Sequence, residues 1–139
     1  MLYGVRMLND EAVAVGCVDT IYIAGVRNSF LVNEAHSPSD IVADKGFVIL
    51  VAHTPDYAQD ADVENVAVTF SGHTHGGQVT LLGLYAPVTN SRYGKRFLSG
   101  LNFTDRGVPV ITSNGLGTSR RKVRFCAPSD IIFVTLRCR

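Results

Sequence analysis

Three of the four histidines in this 139-residue chain sit where imidazole can do chemistry. His73 and His75 belong to Ser71-Gly72-His73-Thr74-His75-Gly76-Gly77-Gln78, and His53 directly follows the apolar run Phe47 to Ala52. Histidines at i and i+2 in an extended turn can point into one site, and the flanking glycines let the backbone turn sharply beside a ligand. Neutral imidazole takes zinc or a similar divalent ion at about 2.0–2.1 Å and can leave a coordination position open for water. His53, His73 and His75 are therefore the candidate metal ligands. His36 lies apart in a polar loop beside Ser37 and reads as a surface residue.

The elements that must position these rings follow from the apolar pattern. Phe47 to Ala52 is an unbroken apolar run of strand length, the mark of a strand covered on both faces. Thr54-Pro55-Asp56 opens a short helix with cap-then-proline grammar. Val66 to Phe70 is a second apolar strand. A strand–helix–strand crossover makes the two strands parallel and neighbouring, about 4.8 Å apart. His53, His73 and His75 then leave the same carboxyl edge, where open α/β sheets bind ligands.

Upstream, Val5 to Leu8, Ala12 to Val15 and Ile21 to Val26 read as short strands, and Ser37-Pro38 opens another helix that runs through Ala43. After Gly77 the helical signal ends. Gln78 to Leu84, Phe97 to Phe103, Val108 to Thr112, Val123 to Cys126 and Ile131 to Leu136 read as strands joined by turns. The expected fold is α/β, with a mixed β-sheet, two short helices and an antiparallel β tail.

Two further groups carry charge near the histidines. Asp56 stands at a helix start, where a carboxylate favours the helix dipole, with a supporting bond to His53 as its sharper use. Arg120, Arg121, Lys122 and Arg124 follow Gly115-Leu116-Gly117-Thr118-Ser119. Beside a metal such a cluster can hold a phosphate; elsewhere it is a solvated face.

Composition narrows the classes. The chain has the length of one domain, and an apolar share of 46% with mean hydropathy +0.16 excludes a disordered chain or a coiled coil. The formal net charge of +1 gives no global field for nucleic acid or an anionic membrane, so no nucleic-acid partner is expected. Cys17, Cys126 and Cys138 are odd in number and lack CxxC spacing, which argues for a reducing compartment. Met1 to Val15 lacks the order of a signal peptide, and no apolar run approaches the roughly 18 residues of a membrane helix. Asn102-Phe103-Thr104 matches a glycosylation triplet by chance on this reading. A soluble cytoplasmic protein is expected.

Ile49 to Asp56 and Ser71 to Gln78 resemble the calcineurin-like metallophosphoesterases, in their bacterial phosphodiesterase-like branch. Gly115 to Ser119 with Val123-Arg124-Phe125 matches the tail of that branch, and Asn9 to Ala12 and Ile23 to Val26 extend the resemblance along nearly the whole chain. The resemblance implies an αββα sandwich with a dinuclear metal site that hydrolyses phosphate esters. It places His53 and His73 on one metal and His75 on the other, and implies a divalent ion: zinc or manganese, with iron as a further candidate.

The family's upstream Asp–x–His, Gly–Asp and Gly–Asn–His motifs are absent from residues 1–139. The expectation is a single truncated domain over 1–139, the carboxyl-terminal half of the family unit. An uncovered sheet face then favours a homodimer, even one with exchanged strands.

Function is expected to be hydrolysis of activated phosphodiesters or phosphotriesters by a metal-bound hydroxide, since zinc can lower the pKa of its water to about 7. Asp56 would orient His53, and Arg124, Arg120 or Arg121 would meet a phosphate oxygen. The alternative is a non-catalytic metal-binding half-domain that self-associates or complements a missing N-terminal half.

Overall fold

The structure, a computed structural model, describes residues 4–16, 20–27, 41, 46–61 and 65–137. Its six strands are β1 (Glu11–Val15), β2 (Ile21–Gly25), β3 (Phe47–Val51), β4 (Val66–Ser71), β5 (Gly100–Phe103) and β6 (Pro109–Thr112). One helix, α1 (Asp56–Asp60), joins β3 to β4, and a 3-10 turn covers His75–Gly77. The strand order is β1-β2-β3-β4-β6-β5.

The four central strands run parallel and only the two edge pairs are antiparallel. The β3–α1–β4 crossover is the expected one. Its helix starts one residue later than the cap pattern suggests: Pro55 is the cap, without a side-chain hydrogen bond, and Tyr57 N–H closes the turn onto Thr54 O at 3.3 Å. The helix packs inward through Tyr57 and Ala58, which are buried, while Gln59 and Asp60 are half-buried.

The core lies on that side of the sheet. Ala24, Val48, Leu50 and Val66 line it from the strands, with Tyr57 and Ala61 from the crossover and Val108 from the turn before β6. Ala58, Phe97 and Val110 form a smaller adjoining cluster. Of the expected helix at residues 37–43 only Ile41 lies within the described residues; it is helical and packs against this core. His36, Cys17 and Cys138 lie outside the described residues.

The other face is open. Strand alternation sends Phe47, Ile49 and Val51 away from Val48 and Leu50. Register places Ile23 beside Ile49, Val51 beside Phe70, and Phe70 beside Ile111, which pairs with Leu101. Phe47 is 44% exposed, Val51 46%, Leu101 58% and Phe103 52%. So β3 is not covered on both faces as its apolar run suggests: α1 supplies one layer and nothing among the described residues supplies the other.

Downstream of the crossover the sequence reading needs correction. The tail is not wholly antiparallel, since β6 lies parallel to β4 and only the short turn at Thr104–Gly107 folds β5 back against it. The long stretch from Ser71 to Pro109 allows β6 to enter in the parallel sense. Residues 5–8 and 131–136 form no strand, and Gln78 to Leu84 meets Val123 to Cys126 in an isolated bridge between Val79 and Phe125 and through the Thr80 hydroxyl, which donates to Cys126 O. Phe97 is fully buried ahead of β5 rather than within it.

Candidate functional site

The parallel ladder delivers both histidine-bearing segments to one edge. Ala52 N–H donates to Phe70 O at 3.1 Å and Gly72 N–H to His53 O at 3.1 Å, so pairing continues to the residues where the two chains leave the sheet. There His53 Nε2 and His73 Nδ1 stand 3.1 Å apart, with the rings edge to face at a centroid distance of 4.8 Å.

The backbone of the motif is held in unusual conformations to do this. His73 and His75 both have positive φ, 71° and 52°, a region that costs a side chain and that persists where surrounding contacts impose it. Thr74 between them is fully buried and donates to Leu98 O at 2.7 Å, while its hydroxyl accepts Gly76 N–H. Gly76 has φ 61°, and a Cβ there would meet Asn114 Oδ1 at 2.6 Å. Only glycine fits that position without displacing Asn114.

His75 is turned to a different neighbour. Arg124 Nη2 lies 3.3 Å from His75 Nδ1, and Arg124 Nη1 donates to His75 O at 3.0 Å. Arginine carries only donors, so Nδ1 faces the guanidinium as an acceptor. Arg124 also donates to the carbonyls of Asn114, Gly115, Gly117 and Ala127. Its guanidinium is thus a clamp that gathers residues 114–117 and 127 around His75, with its donors turned to backbone.

Asp56 is 6% exposed, and its carboxylate accepts Ser91 Oγ–H at 2.6 Å and Arg92 N–H at 2.7 Å. It holds the 90–93 loop rather than bonding His53. Arg92 and the Tyr93 hydroxyl both meet Asp60, so the two carboxylates of α1 tie one wall of the site.

His53, His73, His75 and Asp56 line one open cavity of about 860 Å³ together with Gln78, Asn90, Ser91, Arg92, Arg120 and Arg121. Asn90, Ser91 and Arg92 were not legible as site residues, since a polar loop gives no signal of which cavity it borders. Of the basic cluster it is Arg120 and Arg121 that border the cavity.

Burial pushes His73 below the ordinary histidine value, and a neighbouring His53 charge acts the same way. The Asp56 carboxylate and the Asn90 backbone oppose them. A neutral imidazole is the form that takes a metal ion.

The histidine pair fits such an ion. Two nitrogens each about 2.0–2.1 Å from one tetrahedral ion lie roughly 3.3 Å apart, close to the 3.1 Å between His53 and His73. The pair is not a complete cage: among the described residues no group of three His, Cys, Asp or Glu side chains is gathered for a metal.

The chain is 36% identical over 96 residues to a Bacillus subtilis protein named uncharacterized metallophosphoesterase YkuE, covering 69% of this chain and 33% of that protein. It is 29% identical over 149 residues to an uncharacterized metallophosphoesterase of Aquifex aeolicus, covering 96% of this chain and 51% of that one. It is a metallophosphoesterase homologue.

The matches lie in the C-terminal parts of these relatives, and the chain spans a third to a half of their length. A Bacillus subtilis protein named YpbG is 29% identical over 137 residues, with 96% of this chain and 49% of that protein covered. No family model and no solved structure matches the chain. The six-strand mixed sheet of this metallophosphoesterase homologue is consistent with half of the family fold. No described helix is long and apolar enough to cross a membrane.

Proposed function

We propose that this chain provides the histidine-bearing part of a metal-dependent phosphoesterase site, acting on activated phosphodiesters or phosphotriesters. The observation that carries the reading is the His53–His73 pair at 3.1 Å on the carboxyl edge of the sheet.

His53 Nε2 and His73 Nδ1 would hold a divalent ion, zinc or manganese with iron as a further candidate. Such an ion, when bound, polarises a phosphoryl oxygen and activates water. The 3-10 turn and the buried Thr74 keep His73 in place, and Arg124 holds the His75 backbone and faces its ring. His75 borders the same cavity and is the third candidate ligand. Asp56 orders the 90–93 wall through Ser91 and the Arg92 backbone. No general acid is evident among the described residues of the cavity, so esters with poor leaving groups should react slowly.

Metal content is measured on the purified chain, which is then assayed with an activated phosphodiester and a phosphotriester beside His53→Ala, His73→Ala and His75→Ala. Metal-dependent turnover that disappears in the first two supports the reading. Turnover unchanged in both would expose a contaminant.

A second reading is favoured by the incomplete ligand set: the chain binds metal without turnover and acts by self-association or by complementing a further half of the site. The open sheet face supports a homodimer in which the Phe47, Val51, Leu101 and Phe103 surface is buried against its copy. On either reading 1–139 forms one domain-sized unit.

A further inference from the structure

One side chain fixes the 119–121 loop to the histidine motif. Gln78 Nε2 donates to Ser119 O at 3.0 Å and to Arg121 O at 2.8 Å, and its Oε1 accepts Ser119 N–H at 2.7 Å. The three bonds straddle Arg120. Gln78 is itself anchored, since its N–H donates to His75 O and its carbonyl accepts Phe125 N–H, both at 2.9 Å. Arg120 sits at φ 55°, a conformation arginine does not choose unaided, and the clamp on both its neighbours holds it there.

Arg120 and Arg121 are exposed, border the same cavity as His53 and His73, and form no ion pair with a described carboxylate. The other guanidiniums nearby are committed: Arg124 to backbone carbonyls, Arg92 to Asp56 and Asp60. A cavity of about 860 Å³ falls in the roughly 300–1,000 Å³ range that holds a whole small molecule rather than a single phosphoryl group. Guanidinium matches phosphate oxygens two at a time, so two uncommitted arginines make an anion site.

We propose that Gln78 is a positioning residue that holds Arg120 and Arg121 as a binding site for a second phosphate of the substrate. Preferred substrates are then diphosphates or bisphosphate esters, with one phosphoryl group at the histidine pair and the other at the arginines. The location of the reacting group rests on the phosphoesterase reading; anion binding by the arginine loop does not.

The test is calorimetric titration of the whole chain in EDTA with inorganic pyrophosphate and, separately, inorganic phosphate. Both anions should bind, and the Arg120→Ala/Arg121→Ala variant should lose at least about tenfold in affinity for each. Gln78→Met should weaken pyrophosphate about tenfold in the wild-type background and less than about twofold in the arginine-free background. No binding of either anion, or binding unchanged in the arginine variant, overturns the second-phosphate site. An equal loss from Gln78→Met in both backgrounds assigns Gln78 to folding alone and overturns its positioning role. Both arginines are exposed, so their variants report even if Gln78→Met fails to fold. Because no metal is present, failure here is separate from failure of metal-dependent turnover.

Discussion

His53 Nε2 faces His73 Nδ1 at 3.1 Å although twenty residues separate them, because parallel pairing runs on past β3 and β4 to the Gly72 N–H···His53 O bond. Sheet pairing, rather than local loop structure, sets their distance.

If this pair is the ion's anchor, His53→Ala and His73→Ala should each weaken zinc or manganese binding strongly. Loss of a supporting group alone costs roughly 10–100-fold in affinity, so loss of a direct ligand should exceed that. His75→Ala should weaken binding less. Equilibrium dialysis with metal analysis measures all three, and an equal loss in His75→Ala would place its ring in the metal set instead.

Gly76→Ala should destabilise the chain by about 1–3 kcal/mol, since alanine is forced into positive φ and against Asn114. Urea unfolding reads the loss. Metal affinity should fall in the same variant because the turn carries His75 and follows His73 directly.

Arg124→Ala should cost about 3 kcal/mol or more, as several charge-assisted bonds to carbonyls disappear at once. Arg124→Lys should recover only part of this, because one ammonium cannot span the spread carbonyls that the guanidinium gathers. Chemical denaturation of both variants gives the comparison.

The Tyr93 hydroxyl donates to Asp60, and that bond, followed by burial, raises its pKa above the ordinary 10.0. The folded state therefore keeps the phenol proton longer than the unfolded state does. Stability from this bond is fully present below pH 10 and is lost as pH rises through the higher folded value. Tyr93→Phe should remove that alkaline loss, measured as thermal midpoint from pH 8 to 11.

Burial of the open sheet face by a second copy predicts a mass in solution of twice the 15.0 kDa chain. Phe47→Lys combined with Leu101→Lys should shift it to monomer, as seen by light scattering. A wild-type monomer at high concentration would rule out the dimer.

The crossover was legible because its apolar runs, cap-then-proline start and glycine-flanked histidines are local signals. Convergence of His53 with His73 followed from the parallel rule alone. The fate of Arg124 did not, because its partners are carbonyls spread over residues 75–127, and a backbone acceptor leaves no mark on sequence. Asp56 likewise pairs with Ser91 and Arg92, some 35 residues away. Apolar stretches at 78–84 and 131–136 satisfy a strand pattern, yet a strand needs a partner edge. Most of 78–84 is set by the Leu81–Leu84 turn, where Leu84 N–H donates to Leu81 O and Leu82 and Gly83 take positive φ.

The β3–α1–β4 crossover has a consequence for the order of assembly. Both imidazoles of the pair lie within one short strand–helix–strand unit, so bringing them together closes only a twenty-residue loop. Loop closure costs little at that length, and each doubling adds only about 0.6 kcal/mol. An ion captured by this segment would tie β3 to β4 before β6 arrives from beyond Ser71, making the metal a folding nucleus as well as a reagent.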